Sequence, residues 1–209
     1  MHPLRTALLS LSCLIAVPAI GEDLPSFGDS SSGIVSQREE RELGHAYLSI
    51  IRGQTAQIPD PLLKNYLEDT VYRLAESSQV QDPRFSFILL KSPQLNAFAA
   101  PGGIIGVNGG LFLYAQNEGE FASVLAHELA HLSQRHFARG LEARQQMQIP
   151  MMAAMLGGII AMAAGAGDAG VAAIASSQAA AMQAQQRFSR QNEQEADQIG
   201  RASCRERVS

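Results

Sequence analysis

The chain has 209 residues, 46% of them apolar and 17% charged, enough for one domain with a real core and too apolar for a disordered tail. A net charge of −4 without a long basic run argues against nucleic acid as a partner.

In chain order, Arg5 and the apolar run 6–17 (TALLSLSCLIAV) precede small residues around Ala19 and Gly21, the layout of a cleavable secretory leader. Residues 1–21 are therefore set apart as a signal peptide, too short an apolar run for a membrane span. Its removal leaves Cys204 as the one cysteine, so no disulfide can form within the mature chain. A polar, Gly/Ser-rich flexible lead-in is expected over 22–35. Ser36 with Glu39 three residues on is a capping-box start for a helix over 37–52. Asp60-Pro61 opens a second helix, with Leu63, Leu67, Val71 and Leu74 on one stripe.

Residues 85–90 (FSFILL) predict a strand, and 95–110 (LNAFAAPGGIIGVNGG) a strand-turn-strand element. Asn117 with Glu120 caps the helix that carries ASVLAHELAHLSQRH, residues 122–136. The apolar stretch 151–181 holds five glycines from Gly157 to Gly170, and Asp168, which disfavour a membrane span. A Met-rich lid or membrane-surface contact is the preferred expectation there, with a buried core hairpin as the alternative. A last helix is expected over 183–200. Helices around a small central sheet make the class α+β, with one domain over 36–200. The end of the chain, from Ile199 (IGRASCRERVS), reads like a translated sequencing-library adapter, so 201–209 are expected to be a non-native tail.

His127 and His131 are four apart, one turn on the same side of a helix, so both rings can reach one metal ion. Glu128 lies about 100° round from His127, beside such an ion, where a carboxylate can take a proton from metal-bound water. Phe121, Val124, Leu125, Leu129 and Leu132 form the apolar stripe that the histidine face borders. The competing reading is an ordinary amphipathic helix. His136, five residues beyond His131, is expected to turn away from that face to the surface. A third ligand must come from elsewhere, because no third histidine follows at short spacing. In the run NEQEAD, Glu193 and Asp197 share one helix face and Glu195 points roughly opposite. From spacing alone this run is equally a ligand source, with Asp197 holding the far nitrogen of His127, or a solvated acidic helix end.

HELAH followed by NEQEAD resembles the M48 family of zinc metallopeptidases, whose second motif places Glu four residues before Asp. The segment LNAFAAPGGIIGVNGGLF is also similar to the stretch ahead of that family's zinc helix, where an edge strand lies along the cleft. The resemblance covers about residues 35–200. It implies a mainly helical zincin-type domain with a small mixed sheet. It also implies one Zn2+ on His127, His131 and Glu193, with Glu128 as base and Asp197 as companion. Together with the leader it implies a periplasmic endopeptidase acting on misfolded or stalled outer-membrane proteins beside the β-barrel assembly machinery. Such proteases carry a C-terminal tetratricopeptide-repeat domain, to which nothing here corresponds, so a C-terminally truncated chain is expected. The alternative from another class is a chaperone-like periplasmic scaffold with a structural or regulatory metal.

Overall fold

A computed structural model describes residues 35–208, so the leader and nearly all of the lead-in lie outside the described residues. Helix α1 (Gln37–Gln54) begins at the expected capping box: the Glu39 backbone N–H donates to Ser36 Oγ at 3.2 Å, and Ser36 N–H donates to Glu39 Oε2 at 2.7 Å. Helix α2 (Pro61–Glu76) is capped by Asp60, whose carboxylate accepts from the backbones of Leu62 and Leu63. Its stripe Leu67, Val71 and Leu74 is buried.

Three strands follow, β1 (Ser86–Leu90), β2 (Ala97–Ala100) and β3 (Ile104–Asn108), in the order β1-β3-β2. The central β3 runs parallel to β1 and antiparallel to β2. The β2–β3 turn needs residues without a Cβ: Gly102 and Gly103 have φ of 76° and 81°, in the left-handed region. A Cβ on Gly103 would stand 2.5 Å from the Arg84 carbonyl oxygen.

Every residue of β3 is buried, because both of its faces are covered. On one face Ile104 packs with Ile88, Ala100 and α1's Leu48. On the other, Leu89, Ala97, Ile105 and Val107 meet Leu67 and Val71 of α2 and Leu125 and Leu129 of the next long helix. The period-two alternation of strand side chains divides the two clusters. Taking a side chain such as Leu67 or Leu125 fully out of water contributes about 1.5–3 kcal/mol before entropic costs.

Strand β2 is an edge among the described residues. Asn108 N–H donates to the Asn96 carbonyl, so by antiparallel alternation Asn96, Phe98 and Ala100 face β3 and the backbone groups of Ala97 and Ala99 face outward. The glycine pair that ends β3 opens a short helix, α3 (Gly109–Tyr114), and then α4 (Glu118–Ser133).

The second half of the chain is two long antiparallel helices, α5 (His136–Ala163) and α6 (Gly167–Val208), joined at a turn where Gly165 has φ 89°. They touch through small residues: a Cβ on Gly170 would lie 2.4 Å from the Gly158 carbonyl oxygen. The buried-core reading of 151–181 is not what forms. Met152, Leu156 and Ile160 are 62%, 59% and 68% exposed, and only Gly158 and Gly170 in that stretch are buried. Helix α6 runs without a break through 201–208, which contain no residue that breaks a helix, and Cys204 packs against the main core.

Candidate metal centre

Helix α4 starts where Asn117 Oδ1 accepts from the Glu120 backbone N–H at 3.0 Å, with Glu118 and Glu120 near the positive end of the helix. Phe121, Leu125, Ala126, Leu129 and Ala130 are buried on the core side. Val124 and Leu132 are half-buried, as are His127, Glu128 and His131 on the adjoining face. The histidine face thus borders a dry backing.

Helix α6 lies against this helix at close range. A Cβ on Gly200 would stand 3.0 Å from the backbone nitrogen of His127 and 3.1 Å from its Cα. One and two turns earlier on α6, Asp197 and Glu193 therefore come level with the His127 and His131 rings. His127 Nε2 and His131 Nε2 are 3.1 Å apart, and Glu193 Oε2 is 3.3 Å from the first and 3.7 Å from the second. Two ligands about 2.05 Å from a tetrahedral zinc would be separated by about 3.3 Å, so this triangle has the dimensions that one such ion requires. Asp197 Oδ1 accepts from His127 Nδ1 at 2.9 Å, which puts the proton on Nδ1 and leaves the Nε2 lone pair directed at the triangle. Two imidazole nitrogens and a carboxylate converging on one point are a ligand set that suits zinc.

Glu128 stands beside this triangle. The outward-facing N–H of Ala99, on the edge strand, donates to Glu128 Oε2 at 2.9 Å, and its other oxygen makes no hydrogen bond among the described residues. Burial pushes the Glu128 carboxyl above the usual range, and Glu193 adds to this; the neighbouring His127 and the Ala99 N–H oppose it. The triangle and Glu128 open on a cleft of about 450 Å3 walled by residues 96–103 of the β2 edge and turn.

One expectation is overturned. His136 is not a surface histidine: it is 6% exposed, and its Nδ1 lies 2.8 Å from Nδ1 of His131. The helix that carries His131 ends at Ser133, and Arg135 takes a left-handed conformation, φ 49° and ψ 41°. Helix α5 then restarts at His136 in a new phase, so counting 100° per residue across the break misplaces the ring. A buried pair secures the turn, with Arg135 donating to Glu40 of α1 at 3.0 and 3.2 Å and to the Val35 carbonyl at 2.6 Å. Beyond His136, its Nε2 is 3.3 Å from Glu195 Oε2, which also accepts from Arg139 at 3.0 Å. Burial holds His136 down to about 4, with Glu195 opposing, and burial likewise lowers His131 against the pull of Glu193. Glu195 does point away from Glu193 and Asp197, as its spacing requires, but toward α5 and not into solvent. No glycine or proline marks the break after Gln134, so the sequence carried no signal for His136, Glu195 or Arg139.

Comparison with known proteins places the chain in a family. The family model described as peptidase family M48 matches residues 61–208. The chain is 36% identical over 200 residues to the beta-barrel assembly-enhancing protease of Escherichia coli strain K12, covering 91% of this chain and 41% of that one. It is 39% identical over 178 residues to the protein of the same name from Yersinia pestis, covering 85% and 36%. The mitochondrial metalloendopeptidase OMA1 of Schizosaccharomyces pombe is 31% identical over 106 residues, 48% of this chain and 30% of that one. The chain thus spans about two fifths of the length of the first two relatives. By the family match and these identities, the chain belongs to peptidase family M48.

Proposed function

We propose that this chain is the peptidase portion of a zinc-dependent endopeptidase, with His127, His131 and Glu193 as the metal ligands. The observation that carries the reading is the convergence of His127 Nε2, His131 Nε2 and Glu193 Oε2 at 3.1–3.7 Å, with His127 Nδ1 held by Asp197. Bound zinc would supply Lewis acidity at this point, polarising the scissile carbonyl and making water a stronger acid. Glu128 is the proton carrier. Its raised pKa suits a group that takes a proton from the attacking water and returns it to the leaving amine. Asp197 holds His127 in the tautomer that keeps Nε2 free.

The outward backbone groups of Ala97 and the Ala99 carbonyl present an edge to which an extended substrate can add as a further strand. Unfolded β-segments fit that mode. With the names of the relatives, this supports misfolded or stalled outer-membrane proteins as substrates, the β-barrel assembly machinery as partner and the periplasm as the place of work. The exposed apolar side chains of Met152, Leu156 and Ile160 support peripheral contact of the α5–α6 hairpin with a lipid surface. Flotation with liposomes, lost on replacing these three by serine, tests that contact.

The test of the enzyme is zinc per chain together with cleavage of an unfolded outer-membrane β-barrel protein, by the parent and by Glu128→Gln. About one zinc in both, with cleavage only by the parent, is the expected result. Cleavage by Glu128→Gln at the parent rate would overturn the assignment of the base. Zinc with no cleavage by the parent would favour a scaffold with a structural metal.

A further inference from the structure

Three acidic residues lie within five positions of α6, and the proposed function uses two of them, Glu193 and Asp197. Glu195 faces the other way, onto a side chain that no part of the mechanism above employs. We propose that Glu195 and His136 are positioning residues that set the tautomer of His131 through a directed hydrogen-bond chain, keeping its Nε2 unprotonated. The proposal rests on the reading of His131 as a zinc ligand for its purpose, though not for its geometry.

The direction of the chain follows from which groups can only donate and which can only accept. Arg139 has no acceptor, and its Nη1 lies 3.0 Å from Glu195 Oε2. The ionised carboxylate has no donor, so the His136 Nε2 that lies 3.3 Å from the same oxygen must carry the hydrogen. A neutral imidazole has one donor and one acceptor nitrogen, so the lone pair of His136 is on Nδ1. That nitrogen is 2.8 Å from His131 Nδ1, which must therefore be the donor. His131 is left with its lone pair on Nε2, the atom that faces His127 Nε2 and Glu193 Oε2.

The opposite assignment fails at the Glu195 end, where it would set a lone pair of His136 against the carboxylate. At the other end it would turn an N–H of His131 toward His127 Nε2, in the position a metal would take. Burial makes such a mismatch costly, since the His136 side chain is 5% exposed. The two histidines are thus prepared in the same way by one helix. Asp197 acts on His127 directly, whereas Glu195 acts on His131 through His136, because the break at Arg135 sets the start of α5 between them.

Removing the acceptor makes the arrangement testable. In Glu195→Leu, Arg139 remains near His136 Nε2 and favours a lone pair there. His136 then donates from Nδ1, and His131 is driven to the Nε2–H form that obstructs the metal position. Glu195→Gln keeps a carbonyl oxygen for the same two donors and should behave as the parent.

The experiment uses the full chain without metal, labelled with 15N in histidine, and reads the tautomers from long-range 1H–15N spectra. Zinc affinity is measured separately by competition with a chromogenic chelator. The expected result is His131 with its proton on Nδ1 in the parent and in Glu195→Gln, and shifted to Nε2 in Glu195→Leu. The leucine variant should also bind zinc about 10–100-fold more weakly. A parent His131 protonated on Nε2, or Glu195→Leu with the parent's tautomers and affinity, would overturn the proposal. If Glu195→Leu does not fold, His136→Phe takes its place. Loss of the single tautomer at His131 supports the chain, and its retention overturns it.

Glu193→Ala separates this inference from the metal reading. Zinc affinity unchanged in Glu193→Ala defeats the ligand assignment while the metal-free tautomers stand. Zinc lost in Glu193→Ala but unchanged in Glu195→Leu defeats the positioning role alone.

Discussion

The turn that places His136 depends on one buried ion pair, and its removal should be costly in an asymmetric way. The side chains of Arg135 and Glu40 are 8% and 14% exposed, and the guanidinium Nη1 is buried with no hydrogen-bond partner among the described residues. Glu40→Ala leaves a buried cation with the Val35 carbonyl as its remaining acceptor. Breaking a buried pair from one side costs about 3–5 kcal/mol, most of it from the charge left behind. Arg135→Gly is milder, since it removes that charge, leaves the more exposed partner, Glu40, and relieves a left-handed residue of about 1–2 kcal/mol of backbone strain. The sharpest expectation concerns the double variant. Glu40→Ala/Arg135→Gly should be more stable than Glu40→Ala alone, although it lacks one more native side chain. Urea unfolding of the metal-free protein, extrapolated to water, measures all three. A cost below about 1 kcal/mol for Glu40→Ala, or simple additivity in the double variant, would refute the view that the pair clamps this turn.

Further outcomes follow from the same contacts. His136 has a folded pKa of about 4 against an ordinary 6.5, so below pH 6.5 the unfolded chain binds a proton that the folded chain refuses. Its contribution to stability is therefore complete above pH 6.5 and is lost as pH falls toward 4, by up to about 3 kcal/mol; unfolding of the metal-free protein should lose that slope in His136→Phe. Gly200→Val places methyl groups against the α4 backbone at His127, so stability should drop by about 1–3 kcal/mol and chelator competition should show weaker zinc binding. Gly170→Val collides with the Gly158 carbonyl at the far end of the hairpin, and spin labels on α5 and α6 near that end should move apart while zinc binding is retained.

Much of the fold was legible because local chemistry and long-range packing agree. Ser36, Asp60 and Asn117 each cap a helix by the side-chain bond that their residue type predicts. The run FSFILL and the glycine-rich segment after it form the three strands, since aromatic and β-branched residues favour β1 and β3 and the Gly102–Gly103 pair makes the turn between β2 and β3. The apolar stretch after Pro150 was not legible in the same way. Its composition suits a core helix, a membrane span or an exposed hairpin, and what selects the hairpin is the Gly158–Gly170 contact, a pairing between positions twelve apart that no periodicity announces. Proline does not interrupt α5, so a usual punctuation mark of helices misleads at this point.

The site shows where reading by helical phase stops working. Between His127 and His131, and again between Glu193 and Asp197, the 3.6-residue period holds, and both pairs face one another as spacing requires. The same rule sends His136 to the surface, yet that ring is buried against His131. The difference is one residue: with Arg135 in the left-handed region the axis changes direction, and every angle counted across it is void. Arginine holds that conformation because Glu40, 95 positions earlier in the chain, and the Val35 carbonyl engage its side chain. A contact of that range leaves no local mark in the sequence. The parts of the centre that follow from spacing are those on unbroken helices, and the parts that required the structure, His136 and Glu195, are those reached across the break. The residues that spacing could not place thus depend most directly on the Arg135–Glu40 pair, which makes that pair as much a determinant of the His131 environment as any residue in the cleft.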